Sequence, residues 1–516
     1  MARLALLSVS DKTGIVDLAR SLVERYGFQL VSSGGTAKAL QAAGIAVTKV
    51  SEHTGAPEIL GGRVKTLHPR IHGGILGRPT LDSDRADLEA QSIPPIELVA
   101  CNLYPFEQTV AEPETTLTEA IEQIDIGGPT LVRAAAKNFD RVTILTDPSQ
   151  YEPYLAELET HGSPSLDFRF SCARAAFDRV LSYDCAISAY LAGQSVGETP
   201  AREPPLLIRA IPHQTLRYGE NPQQQALWYR EMGELTGWAG AQKLQGKDLS
   251  YNNLVDLEAA RAIAAEFADD PQVCVAILKH TNPCGMALAD TVEEAYRSAL
   301  AGDPVSAFGG IVAITRPLDA PTARALTETF LECVIAPACG AEAAEILQAK
   351  QNLRLLVLPN FQAGPQQTVK AIAGGYLVQQ ADSTPTNPDS WTIPTEVQPT
   401  AAQLRDLTFA WKVCKFVKSN AIVVAKDGRT LGIGAGQMNR VGAAKIALEQ
   451  AGDRAQGAVL ASDGFFPFGD SVTHAAAAGI AAVIQPGGSI RDRESIDAAN
   501  VAGIPMICTG IRHFLH

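Results

Sequence analysis

Long apolar runs, paired cysteines and an excess of positive charge are all missing from this sequence. The longest strongly apolar stretch, near 475–484, falls well short of the ~20 residues that cross a bilayer. The N-terminus has one positive charge and a short apolar run before Ser8-Val9-Ser10-Asp11-Lys12, which reads as a first strand and not as a signal peptide. Nine cysteines are scattered without a C-x-x-C pair, which argues for a reducing compartment and against a zinc cluster. A cytoplasmic protein that uses no metal is expected. Lys and Arg number 43 against 56 Asp and Glu, a formal charge of −13. Such a surface repels nucleic acid and anionic membrane, so neither is an expected partner. A small anionic ligand still needs only a local basic pocket.

What is present is globular composition, with 46% hydrophobic and 19% charged residues over 516 positions. At ~150 residues per domain, that length holds three domains or two large ones. Strand patterns at 4–10, 29–32 and 45–50 alternate with helical spacing at 14–26 and 36–42, and later strands are expected at 98–102 and 142–146. Such βαβαβ alternation predicts an α/β fold, a parallel sheet covered by helices. Gly193, Gly197, Pro200, Pro204, Pro205 and Pro212 mark a linker over 192–212, so the expected domains are 1–195 and 196–516. In the second part, strands are expected at 273–278, 308–314, 421–425, 458–461 and 481–484. A weak repeat pairs Leu278-Lys279-His280-Thr281-Asn282 with Val417-Lys418-Ser419-Asn420, and Ala301-Gly302-Asp303 with Ala451-Gly452-Asp453; chance similarity explains it equally well. Residues 360–400 read as a long connection.

In the first domain, Ser33-Gly34-Gly35-Thr36 sits where a strand meets a helix. Glycines and a helix start suit a phosphate, but a tight turn with Thr36 as helix cap explains these four residues as well. Ser10 and Lys12 end the first strand and could converge on the same anion. Gly61-Gly62-Arg63-Val64-Lys65-Thr66 is either a glycine-hinged anion site or solvated charge. Asp125, between apolar residues in Ile124-Asp125-Ile126-Gly127-Gly128-Pro129, would need a cationic partner if buried, and Lys65 or Lys137 could serve. With Tyr104 these groups make either an acid–base set or a structural ion pair.

The runs SVSDKTG, SGGTAKAL, GGRVKTLHP, CNLYPF and IDIGGPTLVRAAAKN stand in this order between Leu6 and Asn138. Together they resemble the inosine monophosphate cyclohydrolase domain of the bifunctional purine biosynthesis family. The resemblance implies a sheet similar to that of methylglyoxal synthase. It implies that Ser10, Lys12, Ser33, Gly35, Thr36, Arg63 and Thr66, with Asn102 and Gly127, hold the nucleotide. It also implies that Lys65, Tyr104, Asp125 and Lys137 surround the ring-closing atoms. A carboxamide nitrogen would attack a formyl carbon of the same molecule and water would leave, so holding the cyclising conformer supplies most of the gain. A lysine and a backbone N–H near Gly127 would stabilise the oxyanion.

In the second domain, the strand entering Lys279-His280-Thr281-Asn282-Pro283-Cys284-Gly285 is expected to run into a polar loop. Lys beside His is either a proton-transfer pair or incidental charge on a turn. Phe465-Phe466-Pro467-Phe468-Gly469-Asp470 suits a flat heterocycle, with core packing the alternative for Phe466. RYGENPQQ, YNNLVD, LKHTNPCG, FGG, VKSNAIV, GIGAGQMNR, SDGFFPFGD and the terminal RHFLH look like the aminoimidazole carboxamide ribonucleotide (AICAR) formyltransferase domain of the same family. The resemblance implies that Lys279 and His280 are catalytic, with Asn420 nearby. It implies that Arg217, Tyr218, Asn253, Gly310, Phe468, Arg512 and His516 bind the nucleotide. Phe465 and Asp470 would lie near the folate, with Gln437 and Arg440 in the same region. The implied co-substrate is 10-formyltetrahydrofolate, the implied fold a duplicated cytidine-deaminase-like α/β domain, and the implied assembly a homodimer with shared sites. Two other readings are a phosphate-ester enzyme acting through the first domain alone, with Asp125 as base, and a nucleotide sensor without turnover.

Overall fold

The computed structural model describes residues 3–516 except Glu198. The chain divides at Ile208/Arg209 into two compact units, within the breaker-rich 192–212 stretch. In the first unit, β1 (Arg3–Leu7), β2 (Phe28–Ser32), β3 (Thr48–Lys49), β4 (Leu98–Ala100) and β5 (Thr143–Leu145) form one parallel sheet in the order β3-β2-β1-β4-β5. Its inner strands are buried along nearly their whole length, as a sheet covered on both faces requires. Helix Ile15–Glu24 buries Ile15, Leu18, Ala19 and Leu22, one stripe at three- and four-residue spacing. The order reverses between β1 and β4, which opens a crevice at their carboxyl ends.

Only two residues of the expected third strand, Thr48–Lys49, pair with β2. Val50 then starts a short helix, Val50–Thr54, because its side chain is buried while both strand residues are exposed. The helix expected at 36–42 starts earlier, at Gly34, with Ser33 at the cap position.

In the second unit, β6 (Ala210–Leu216) and β7 (Ala226–Glu231) form a hairpin, followed by β8 (Gln242–Gln245), β9 (Val273–Lys279), β10 (Asn282–Ala289), β11 (Gly310–Ile314), β12 (Leu331–Ala336) and β13 (Arg354–Val357). A second hairpin, β14 (Gln367–Ile372) with β15 (Gly375–Gln380), stands in the stretch expected to be a plain connection. Then come β16 (Ile422–Lys426), β17 (Arg429–Gly434), β18 (Val459–Ser462), β19 (Ala482–Gln485) and β20 (Met506–Cys508). An 11-stranded sheet runs β20-β19-β18-β16-β17-β10-β9-β11-β12-β13-β8.

This sheet is built twice. β9 is antiparallel to β10 and β11, and β11, β12 and β13 run parallel. β16 is antiparallel to β17 and β18, and β18, β19 and β20 run parallel. The halves join where β10 meets β17. Helices Tyr251–Ala265 and Ala401–Cys414 precede β9 and β16, and both start in capping boxes, Ser250 with Asn253 and Thr400 with Gln403. One core joins both helices to a single sheet face through Leu257, Phe267, Cys274, Ala276, Trp411 and Val423. Alternate residues such as Val275 and Ile277, or Ile422 and Val424, face separate cores on the other side.

One pair of the sequence repeat falls at equivalent places in the two halves, and the other does not. Ala301-Gly302-Asp303 and Ala451-Gly452-Asp453 both follow the helix after the hairpin. Residues 417–420, however, precede β16, whereas Lys279–Asn282 ends β9 and opens β10. The true counterpart of that turn is Lys426–Arg429. The polar loop expected after Lys279 is therefore a hairpin, and Pro283 is accommodated in β10 by a register shift.

Close helix–strand contact repeats as well. A Cβ on Gly285 of β10 would stand 2.0 Å from the Ala299 carbonyl oxygen, and one on Gly432 of β17 would stand 2.0 Å from that of Ala447. Backbone cannot yield as a flexible side chain can. Gly285→Ala and Gly432→Ala should each destabilise the second unit by about 3 kcal/mol, read as a lower urea midpoint. Equal midpoints for wild type and both variants would contradict this packing.

Two candidate active sites

The first cavity, of about 840 Å³, lies at the crevice between β1 and β4. Ser10, Lys12, Ser33, Gly35, Thr36, Arg63, Lys65, Thr66, Asn102, Tyr104, Asp125 and Gly127 all line it. Ser33 offers helix Gly34–Ala42 no side-chain cap, so the first-turn N–H groups stay free for an anion. Two amines converge on that turn. A Cβ on Gly34 would be 3.4 Å from Lys65 Nζ, and one on Gly35 would be 3.5 Å from Lys12 Nζ. Thr36 is no cap; its buried hydroxyl donates to the Val9 carbonyl at 2.9 Å and accepts the Val9 N–H at 3.0 Å. Asn102 clamps the loop after β1, accepting the Ser10 and Asp11 N–H groups at 2.6 and 3.0 Å and donating to the Asp11 carbonyl at 2.9 Å.

Asp125 is held by the main chain and not, as expected, by a salt bridge. Its Oδ1 accepts the Gly128 N–H at 2.8 Å, and the N–H groups of Gly127 and Tyr104 also bond its carboxylate. A Cβ on Gly128 would stand 2.2 Å from Asp125 Oδ2, so glycine is required there. Burial pushes the carboxyl above its ordinary range; these N–H groups and the charge of Lys65 pull it back only in part. Burial and then the Asp125 charge raise the Tyr104 phenol. Because Asp125 takes the N–H groups of Gly127 and Gly128, they are not the oxyanion donors expected there. At the mouth, Arg63 pairs with Glu122.

Lys137 is not in this cavity. It ends helix Gly127–Lys137, whose 11 residues extend ~16 Å from the Asp125 turn. There it lines an apolar cleft with Phe139, Phe170 and Phe177. Within one chain, the helix carries it away from Asp125.

In the second unit, a cavity of about 630 Å³ collects Arg217, Tyr218 and Asn253. It is also lined by Lys247, Glu332 and Arg354, which no motif had singled out. Asn253 Nδ2 donates to Glu332 Oε2 at 2.8 Å. Phe330, another lining residue, packs on Phe308 with centroids 5.1 Å apart, and its carbonyl accepts the Gly309 N–H at 2.7 Å. Lys279 Nζ donates to the carbonyls of Phe308 and Gly309 at 3.0 and 3.1 Å. A Cβ on Gly309 would meet that amine at 2.9 Å. Gly310 is buried against the Ala307 and Leu278 carbonyls, so Gly309 is the residue that faces Lys279. His280 is exposed, in a two-residue turn with Thr281.

Asn282 links this turn to the second half. It donates to the His280 carbonyl at 3.2 Å and accepts the Lys418 N–H at 3.0 Å. Two residues on, Asn420 donates through Nδ2 to the Gln437 carbonyl at 2.7 Å. Arg440 is buried, with Nε on Ser462 Oγ at 2.7 Å and Nη2 on Asp463 Oδ1 at 2.6 Å. The chain terminus is docked. Ser419 donates its N–H to the Leu515 carbonyl at 2.9 Å, its hydroxyl accepts the Leu515 N–H at 3.0 Å, and Lys418 Nζ donates to the His516 carbonyl at 2.9 Å. Arg512 stacks on Phe514, 4.4 Å from its centroid.

Phe466 is core, while Phe468 is exposed beneath Arg491, 4.8 Å from its ring centre. Phe465 is half-buried, and Asp470 is exposed at the start of helix Asp470–Ala477. Phe465, Phe468, Asp470, Arg512 and His516 do not line the Arg217–Asn253 cavity of their own chain. Among the described residues, no three His, Cys, Asp or Glu side chains gather as metal ligands, and no helix is long and apolar enough to cross a membrane. All nine cysteines are unpaired.

The family described as the AICARFT/IMPCHase bienzyme matches residues 135–450, and the MGS-like domain matches 14–130. The bifunctional purine biosynthesis protein PurH of Synechococcus elongatus is 63% identical over 517 residues, covering 100% of both chains. The proteins of that name from Rippkaea orientalis and Synechocystis sp. are 62% and 61% identical, each again over 100% of both chains. Likeness along the whole length leaves no room for a sensor or for a lone phosphate-ester enzyme. The chain belongs to the AICARFT/IMPCHase bienzyme family.

Proposed function

We propose that the two reactions of this bifunctional purine biosynthesis enzyme divide between its units, with ring closure in the first and formyl transfer in the second. The reading of the first unit rests on Lys65, which stands between the free helix start at Gly34 and the raised carboxyl of Asp125. Lys12 and Arg63 take the nucleotide phosphate, with Ser10, Ser33 and Thr66 around it. The carboxamide nitrogen then attacks the formyl carbon, and Asp125 accepts its proton. Lys65 stabilises the oxygen anion and Tyr104 protonates it; Asp125 then returns its proton to that hydroxyl, which leaves as water while the former formamide N–H gives its proton to the Tyr104 phenolate and the ring C=N forms. A carboxyl raised by burial is a better base than an ordinary aspartate.

In the second unit, AICAR lies in the Arg217–Asn253 cavity with Arg217, Lys247 and Arg354 on its phosphate. Its amine attacks the formyl carbon of 10-formyltetrahydrofolate. His280 takes the amine proton, Lys279 delivers a proton to the departing folate nitrogen, and tetrahydrofolate leaves. The enzyme works in the cytoplasm as a homodimer. A second copy supplies Phe468, Asp470, Arg512 and His516, which the chain's own cavity lacks. The fold of this unit is a duplicated cytidine-deaminase-like one, which the repeated strand order supports.

Three outcomes test this reading. Lys65→Ala should cut cyclisation of formyl-AICAR by ~100-fold and leave tetrahydrofolate release intact, and Lys279→Ala should do the reverse. Loss of both activities in either variant would end the division of labour. Cyclisation should fall as the pH drops, with its midpoint above the ~3.9 of an ordinary aspartate, since Asp125 must be ionised to act. An acid limb at or below that value, in a kcat/KM profile, counts against Asp125 as base. Lys279→Ala mixed with Arg512→Ala should regain formyl transfer through hybrid dimers with one intact site. No recovery after verified subunit exchange means that each chain completes its own site.

A further inference from the structure

The two halves of the second unit meet one local problem twice. At equivalent places a two-residue turn closes a hairpin, and an aspartate from the preceding helix holds it. In the second half the turn is Asp427-Gly428, with φ of 51° and 66°. Asp406 accepts both of its N–H groups, at 3.0 and 2.9 Å. In the first half the turn is His280-Thr281, with φ of 52° and 63°, and Asp256 Oδ1 accepts the Thr281 N–H at 2.7 Å. Asp256 and Asp406 stand equally far along their helices from the caps Ser250 and Thr400.

The difference between the halves carries the inference. Asp-Gly is a pair that this type of turn favours, because both central residues need positive φ. His-Thr is not, and a β-branched residue at φ of 63° is an outlier. Such strain persists only where surrounding groups over-determine it, and it gathers at functional sites. Lys279 has its own anchor on the Phe308 and Gly309 carbonyls. His280 has none: among the described residues no hydrogen bond reaches its ring. Its place is set by the turn alone.

We propose that Asp256 is a positioning residue for formyl transfer, holding the His280-Thr281 turn in the left-handed conformation that presents the His280 ring. Asp256 lies one helical turn beyond Asn253, so nucleotide contact and turn support share one rigid element. Burial raises the Asp256 carboxyl, while the Thr281 N–H draws it back. This proposal rests on the assignment of His280 as a catalytic residue.

The test uses the full-length dimeric enzyme. Asp256→Ala, Asp406→Ala, Asp256→Ala/Thr281→Gly and His280→Ala are compared for tetrahydrofolate release, with cyclisation and thermal unfolding measured on the same samples. Asp256→Ala should lower kcat for transfer about 100-fold with KM for AICAR unchanged, since the Asn253 contact is untouched. Asp406→Ala should soften the matching hairpin and leave kcat alone. Thr281→Gly should return most of the lost kcat to the Asp256→Ala enzyme, because glycine takes positive φ freely. Full kcat in Asp256→Ala, an equal fall in Asp406→Ala, or no recovery with glycine each overturns the proposal. Full transfer in His280→Ala overturns the assignment beneath it instead.

Discussion

Both sites require a charged side chain to touch main chain where a Cβ would otherwise stand. Asp125 folds against Gly128 so closely that a Cβ there would lie 2.2 Å from its carboxylate. Lys279 lies on Gly309, where the corresponding distance is 2.9 Å. Close approach lets backbone N–H groups satisfy the acid and backbone carbonyls satisfy the amine. A buried charge must be paired or solvated by dipoles, and dipoles leave it free to exchange a proton as a tight ion pair would not. At Asp125 burial outweighs three hydrogen bonds and a nearby lysine, so the carboxyl ends above its ordinary range.

Duplication gives the second unit its architecture, and departure from symmetry sets its two hairpins apart. Each half brings the same helix, hairpin and three further parallel strands. The first half puts Lys279 and His280 at its hairpin, while the second keeps Asp427-Gly428 there. What the second half contributes lies before its first strand: Ser419 and Asn420, joined to the first hairpin through Asn282. That bridge is possible because β10 and β17 are neighbours, which sets the start of one half beside the turn of the other.

The alternation of short apolar runs with helical spacing made most of the sheet legible, since buried parallel strands leave little room for other patterns. The failures have local causes. Of residues 45–50 only Thr48 and Lys49 pair; Ile45 and Val50 are apolar because both are buried in the first unit's core, Val50 at the start of a helix. Residues 360–400 looked structureless because β14 and β15 are exposed on nearly every residue and so have no alternating pattern to read. For the first site, residues close in sequence to the motifs were found together in the cavity. Tyr183, whose hydroxyl accepts the Asp125 N–H at 2.7 Å, lies far along the chain and carries no local signal. Lys137 shares a motif with Asp125 but not a place, because a helix separates its ends by its own length. Arg440 has the charge to bind a folate, and burial against Asp463 removes it from solvent.

That same buried pair explains how residues 512–516 are held in place. Termini fray unless tied down. Asp463 is fully buried and satisfies Arg440 with one carboxylate oxygen and the Ser419 hydroxyl, at 2.6 Å, with the other. Its carbonyl takes the His513 N–H at 3.1 Å, and Ser419 in turn takes Leu515. His513 is buried on the other side against Asp382, at 2.6 Å, a bond that holds the Asp382 carboxyl below its usual range. Removing one member of a buried ion pair costs about 3–5 kcal/mol, far more than a surface pair contributes. The tail is therefore fixed by charges that cannot be exposed cheaply. Arg512 and His516, on either side of that anchor, inherit a defined position from it. Asn420, next to Ser419, inherits its position from the same carboxylate.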